Sequence, residues 1–208
     1  MWLVLKYKKV GLAALLSQND MQLVFTRTFR RAGLPVVYSD GFAGRVKMAF
    51  SPAPPYAVEV LNDAVFVELN DDLIKEREIL ERLNRFSIPG VVFTDVATYS
   101  KKPKVGDVIK CVVYKFYFVA EGRADINSNV LALNLDYSKR IFLKRGYWKM
   151  RPKRCELRVM KDGVLVYLWK SFSMPSYREV RDFLESFLKF EKVVRIATLV
   201  ELEDGSLI

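Results

Sequence analysis

The stretch that decides the first half of the fold is SQNDMQLVFTRTFRRAGLP, residues 17–35. Ser17 is a residue type that caps helices, and Asp20, three residues later, can bind the backbone of Ser17 in return. The apolar side chains that follow recur at the helical period and share one face. They are Met21, Val24, Phe25, Phe29 and Ala32. Gly33 suits the position after a helix end and Pro35 prevents continuation, so the stretch predicts an amphipathic helix that stops before Gly33.

Strand-like segments surround this helix in the order that is typical of a ferredoxin-like domain. In chain order, the predicted elements around it are strands at 2–9, 46–53 and 64–70, a helix at 71–86 and a strand at 90–99. Asn62 and Asp63 are typical turn residues, so they are assigned to the connection between the second and third strands. These elements predict a domain over residues 1–99.

The second half of the chain is richer in strands. Residues 100–107 read as a linker, and the long alternating run at 108–120 predicts a strand. One clear helix is predicted at 176–190. We therefore expect an α+β fold with two ferredoxin-like (split βαβ) domains, over 1–99 and 108–208, each with an antiparallel sheet and helices on one face.

The residues after the first predicted helix form a candidate ligand loop, Tyr38–Arg45. Hydrogen-bonding side chains stand here among glycines that let a backbone approach a ligand. With the arginines of the preceding helix, the candidate anion-binding residues are Arg27, Arg30, Arg31, Tyr38, Ser39, Gly41, Phe42 and Arg45. The alternative interpretation is structural: Phe42 would fill the core, the glycines would only make turns, and the arginines would form a solvated face.

The positive charge of the chain is regional. Its formal net charge is +10, and residues 99–154 hold 14 Lys and Arg against 4 Asp and Glu, so this region alone accounts for the excess. Within it, a basic–aromatic patch at 138–154 has no acidic residue. Its candidate nucleic-acid-binding residues are Lys139, Arg140, Lys144, Arg145, Tyr147, Trp148, Lys149, Arg151, Lys153 and Arg154. Cations neutralise phosphates and aromatic rings stack on bases, which favours RNA, although a solvated strand edge is the alternative.

The composition argues against several kinds of site. Histidine is absent, which removes the imidazole of catalytic triads and the commonest zinc ligand. The sequence has no glycine-rich nucleotide-binding motif, so we expect no cofactor and no metal. No apolar run is long enough for a membrane helix, and no secretory signal is apparent, so a cytoplasmic location is expected. Two glutamines among many Lys, Arg and Glu residues are typical of a thermophile.

The run from Ser17 to Pro55 resembles the core of the radical-SAM-linked protein family, whose members occur alone or joined to a cobalamin-binding radical SAM protein. The matching residues are Ser17, Asp20, Arg27, Arg31, Leu34, Pro35, Tyr38, Ser39, Gly41 and Phe42. The chain departs from the family pattern at Gln18-Asn19, where the family usually has His-Leu, and at 43–46, where it usually has Asn-Pro-Arg-Pro. The resemblance implies a bacterial accessory protein of unknown function that acts with a radical SAM enzyme or on RNA.

Three functions follow from these observations, and the residues favour a protein without catalytic activity. The first is an accessory protein that binds RNA or another polyanion through the basic–aromatic patch and the loop at 38–45. The second is a partner or substrate-presenting subunit of a cobalamin-binding radical SAM enzyme. The third is a metal-independent endoribonuclease, because double ferredoxin-like domains occur in the CRISPR repeat-processing nucleases. Those nucleases typically carry a glycine-rich loop near the C-terminus, whereas residues 200–208 contain one glycine.

Overall fold

A computed structural model describes residues 1–40, 42, 44–70, 76–119, 155–160, 162–169, 177–185 and 189–208 of the chain. The chain divides into two compact units. The first unit comprises Met1–Ile109 together with Ala197–Ile208, and the second comprises Lys110–Ile196. Both units are mixed α/β structures in which the paired strands are mostly antiparallel. No helix in the described part of the chain is both long and apolar enough to cross a membrane.

Among the described residues, the first unit contains four complete strands and the helices between them. In chain order these are β1 (Trp2–Lys9), a short 3-10 helix (Gly11–Leu15), α1 (Gln18–Arg31), β2 (Met48–Phe50), β3 (Glu59–Glu68), α2 (Glu76–Phe86), β4 (Val91–Tyr99) and the single turn α3 (Val105–Val108). β1 pairs with β3 and with β4, and β2 pairs with β3, all in antiparallel fashion. The strand order is therefore β4-β1-β3-β2.

The apolar face of α1 packs on one side of this sheet. Phe25 and Phe29 are fully buried there, and the ring of Phe25 lies 5.0 Å from that of Tyr7 and 5.4 Å from that of Phe93. Leu83 of α2 belongs to the same hydrophobic core. The predicted apolar face of α1 is confirmed, since four of its five members are buried and Val24 is half-buried.

The two strands of the first hairpin, β2 and β3, have other bounds than those predicted. β2 covers only Met48–Phe50, and β3 begins at Glu59, so Asn62 and Asp63 lie inside a strand and not in a connection. The physical reason is that the Asp63 carboxylate has buried partners. Its Oδ1 accepts hydrogen bonds from the hydroxyls of Ser51 and Thr198, and these offset the poor strand preference of an aspartate.

The other described strands lie mainly in the second unit. They are β5 (Ile109–Phe118), β6 (Cys155–Met160), β7 (Gly163–Trp169) and β8 (Phe190–Val200), with α4 (Tyr177–Glu185) between β7 and β8. β7 pairs antiparallel with β5 and with β6, and the strand order is β8-β5-β7-β6. The bounds of β8 mean that its last residues, from Ala197, belong to the first unit.

Aromatic contacts fix α4 and β8 on β5 in this second unit. The Tyr177 ring stacks on Phe116 at 6.0 Å, and the Phe190 ring meets Phe116 edge-on at 5.1 Å. The predicted helix at 176–190 extends too far, because Phe190 is already the first residue of β8. The position of Phe190 continues the helical spacing of apolar residues, but its ring packs against Phe116 of β5.

Candidate anion-binding site

Neighbouring residues determine both the start and the end of α1. Ser17 and Asp20 form the predicted capping box at the helix start. At the other end, the backbone N–H of Leu34 donates to the carbonyl of Phe29 at 3.1 Å, and the backbone N–H of Gly33 donates to the carbonyl of Arg30 at 3.1 Å. This pair of bonds is the Schellman arrangement, and it requires the positive φ of 66° that Gly33 adopts. The chain therefore turns sharply just after Arg30 and Arg31.

The segment after this turn returns along the end of β3 as a narrow loop. Val36 bridges to Leu69, and Tyr38 bridges to Val46, both in antiparallel geometry. Ser39 and Arg45 then close the loop by two hydrogen bonds: the Ser39 N–H donates to the Arg45 carbonyl at 2.7 Å, and the Arg45 N–H donates to Ser39 Oγ at 3.0 Å. The loop at 38–45 thus has a base held by backbone contacts.

The structure joins Arg30 of α1 to Tyr38 of this loop. Arg30 Nε donates to the Tyr38 hydroxyl at 3.0 Å, and the guanidinium carbon lies 5.4 Å from the centre of the ring. The distance is in the range of a cation–π contact. Arg27 and Arg31 are also exposed, and Arg27 lies three residues before Arg30 and four before Arg31, spacings that place it beside both on the helix surface. The described contacts therefore link Arg30 with Tyr38 and Ser39 with Arg45.

Phe42 and Gly44 behave differently from the sequence interpretations. The idea that Phe42 fills the core is wrong, because its relative exposure is 111%. Gly44 does not use a positive φ; a Cβ at this position would instead lie 3.3 Å from the Ser39 carbonyl, so the glycine permits a close approach of the two arms. Gly41 lies outside the described residues.

The basic–aromatic patch at 138–154 also lies outside the described residues. This holds for all ten candidates: Lys139, Arg140, Lys144, Arg145, Tyr147, Trp148, Lys149, Arg151, Lys153 and Arg154. Their role in nucleic-acid binding remains a prediction from the sequence.

A second polar group, which sequence reasoning missed, is buried in the first unit. We call it the Lys6 cluster; its members are Lys6, Tyr7, Ser51, Asp63 and Thr198, each no more than 4% exposed. The Lys6 ammonium donates to the backbone carbonyl of Thr198 and, at 3.2 Å, to that of Ile208. Thr198 Oγ1 donates to Asp63 Oδ1 at 2.9 Å, and the Tyr7 hydroxyl donates to Asp63 Oδ2 at 3.4 Å.

Burial controls the protonation of the Lys6 cluster. Removal from water lowers the pKa of the Lys6 ammonium from its ordinary value of 10.5 to about 8, while the negative charges of Asp63 and Asp95 oppose the shift. The cluster sits where β1 has an irregular register with both neighbours, between Tyr7 and Lys9 against β3 and between Lys6 and Tyr7 against β4. Because its groups are buried and hydrogen-bonded, the cluster anchors residues 197–208 to β1 and offers no open surface to a ligand.

One sequence signal could have identified Lys6. The strand WLVLKYKK at 2–9 is apolar on both faces up to Leu5, which is the pattern of a strand covered on both sides. Lys6 continues the series of Trp2 and Val4 on one face, so its side chain points into the same covered side. A lysine in that position requires buried partners.

Comparison with known proteins gives a family. The chain matches the model of a family described as an uncharacterized protein conserved in bacteria (DUF2344), over residues 3–161. No curated protein matches the chain. The matched range begins in β1 and ends just after β6, so it contains α1 and the loop at 38–45. Since this range is most of the chain, the protein belongs to the bacterial family DUF2344.

Proposed function

We propose that the protein is a non-catalytic accessory protein that binds RNA or a similar polyanion. The observation that carries the proposal is the exposed group of arginines and aromatic rings at the end of α1. Arg30 is paired with Tyr38, Arg45 closes the neighbouring loop, and Phe42 is fully exposed beside it. Guanidinium groups bind phosphate oxygens with directed hydrogen bonds, and aromatic rings stack on bases.

The charge distribution supports the same function. The whole excess of +10 resides in residues 99–154, whereas the remainder of the chain is neutral. A regional excess of this size attracts a polyanion and releases its counterions on binding. The patch at 138–154 would then supply much of the affinity, and the loop at 38–45 would supply contacts of defined geometry.

The strand order of the two units is compatible with two ferredoxin-like domains, and we adopt that classification as part of the proposal. The order β4-β1-β3-β2 in the first unit has the same form as β8-β5-β7-β6 in the second, when strands are counted within each unit. Ferredoxin-like domains place a four-stranded sheet and two helices around one core. RNA-recognition modules also use a four-stranded sheet, although they bind with aromatic residues on its strands.

Filter binding tests the proposal. In low salt, the wild-type chain is expected to retain a mixed single-stranded RNA, and a variant with Arg27, Arg31 and Arg45 changed to Gln is expected to retain less. The matched control changes three exposed arginines of α2 to Gln, namely Arg77, Arg82 and Arg85, which removes the same charge. Absence of retention by the wild type, or equal losses in both variants, would contradict the proposal. Electrophoresis of the recovered RNA, with EDTA present, also tests for metal-independent cleavage.

The resemblance of residues 17–55 to the radical-SAM-linked family suggests a second candidate, a partner of a cobalamin-binding radical SAM enzyme, and exposed leucines could serve such a protein contact. Leu12 is 85% exposed in the 3-10 helix, and Leu23 of α1 is 56% exposed. Apolar side chains of this size commonly mark protein contacts when they cluster. Affinity purification from the native host, comparing the wild type with Leu12→Glu, tests this candidate. Recovery of a radical SAM protein by the wild type alone would favour it, and recovery of none would count against it.

A further inference from the structure

Phe42 is fully exposed, whereas four other phenylalanines of the first unit are buried. Phe25, Phe29 and Phe66 have 0% exposure, and Phe93 has 2%. Burial of such a ring stabilises a protein, so a ring left entirely in water forgoes that stabilisation. An exposed aromatic side chain is therefore informative when a charged surface surrounds it.

The surroundings of Phe42 suit a nucleic acid strand. Arg45 lies three residues away, where two hydrogen bonds between Ser39 and Arg45 close the loop. Tyr38, at the base of the same loop, is held by Arg30 and still has 37% of its surface exposed. The base of the loop is preorganised, which reduces the conformational entropy that binding would cost.

We propose that Phe42 stacks on an unpaired base, which makes single-stranded RNA the preferred ligand over duplex RNA. The inference rests on the proposed RNA-binding function and deepens it. A base in a duplex is already stacked on both faces, so an aromatic side chain can reach it only in a loop, an end or a single strand. Arg45 and the arginines of α1 contact phosphates next to the stacked base. Phe42 then determines the preference for single-stranded over duplex RNA, and the arginines supply affinity for any polyanion.

Fluorescence anisotropy on the full chain tests the inference with three labelled ligands. They are an unstructured 12-nucleotide RNA, an oligonucleotide of the same length that lacks bases at its central positions, and a duplex RNA of the same length. The variants are Phe42→Ala, Phe42→Leu, which keeps an apolar side chain without a ring, and Phe42→Trp, which keeps a ring. Because Phe42 is fully exposed, none of these changes is expected to disturb folding, which thermal unfolding checks.

The expected result is a ring-dependent and base-dependent affinity. Phe42→Ala and Phe42→Leu should weaken binding of the unstructured RNA by about 5- to 100-fold, whereas Phe42→Trp should preserve it. The wild type should bind the abasic oligonucleotide and the duplex as weakly as Phe42→Ala binds the intact strand. Equal binding of intact and abasic strands by the wild type would overturn the stacking inference and leave the polyanion-binding function standing. Failure of the wild type to bind any of the three ligands would overturn both.

Discussion

The ammonium of Lys6 is buried at a site where its charge is only partly compensated. It donates to the carbonyls of Thr198 and Ile208, and the negative charge of Asp63 lies nearby. Desolvation still dominates, because it lowers the Lys6 pKa to about 8. Below that pH the folded protein holds a buried charge, and the cost of desolvating it counts against stability.

The stability contribution of Lys6 should therefore increase with pH. Between about pH 8 and 10.5 the unfolded chain keeps a proton on Lys6 that the folded chain has released, so the free energy of unfolding rises with pH. Relative to Lys6→Met, the wild type is expected to gain about 2 kcal/mol between pH 7 and pH 10. Urea denaturation of both proteins across this range measures the difference.

The comparison with Lys6→Met isolates this group. Burial and nearby acidic groups raise the Tyr99 pKa to about 12, so the folded state of each protein keeps that proton longer than the unfolded chain and loses stability above pH 10. Tyr99 is present in both proteins, and its contribution cancels in the difference. A stability difference that stays constant from pH 7 to pH 10 would show that Lys6 is fully protonated throughout.

At the scale of elements, two glycines with positive φ make different demands on the chain. Gly33 has φ +66° at the end of α1, and no atom lies within 4 Å of the position that a Cβ would occupy. Gly90, before β4, has φ +85°, and a Cβ there would lie 2.4 Å from the Val10 carbonyl oxygen and 3.0 Å from Ala13 Cβ. The first position carries only backbone strain, and the second adds a steric clash.

Alanine substitutions should separate these two effects. Gly33→Ala is expected to destabilise the protein by about 1–2 kcal/mol, the cost of the left-handed conformation. Gly90→Ala should lower the free energy of unfolding by more than about 3 kcal/mol, because β4 or the 3-10 helix that contains Ala13 must also move. Gly33→Asn is the control, since asparagine tolerates this conformation and should lose less than alanine. Equal effects of the two alanines in urea denaturation would contradict this account.

The elements that sequence predicted best are those decided by neighbouring residues. The start and apolar face of α1 follow from Ser17, Asp20 and a regular period, and the structure confirms them. The interior position of Asp63 could not be predicted, because its partner Thr198 is 135 residues away. Local propensity therefore indicates a turn where long-range hydrogen bonds stabilise a strand.

The candidate site, too, could be predicted only where neighbouring residues determine it. The arginines of α1 could be identified from helical spacing, but the contact of Arg30 with Tyr38 depends on the turn at Gly33 and the return of the chain along β3. The exposure of Phe42 depends on how the loop is closed, and sequence alone left a buried ring as the alternative. The Lys6 cluster depends on residues 198 and 208, which no pattern around Lys6 specifies.

At the scale of the whole molecule, the proposed binding of RNA depends on positive charge. The chain carries +10, and its excess lies in residues 99–154, while Arg27, Arg31 and Arg45 are each exposed in the first unit. If both bind the same RNA strand, each contributes phosphate contacts that release counterions. The number of contacts can then be read from the salt dependence of the affinity.

The measurement that tests the central claim most directly is the affinity for single-stranded RNA as a function of salt. For the wild type, the logarithm of the binding constant should fall linearly with the logarithm of the salt concentration, by about 0.7 per phosphate contact. Changing Arg27, Arg31 and Arg45 to Gln should make the slope shallower by about 2, and the matched change of Arg77, Arg82 and Arg85 should leave it unaltered. No binding at low salt, or the same slope in all three proteins, would contradict the claim that this surface binds RNA.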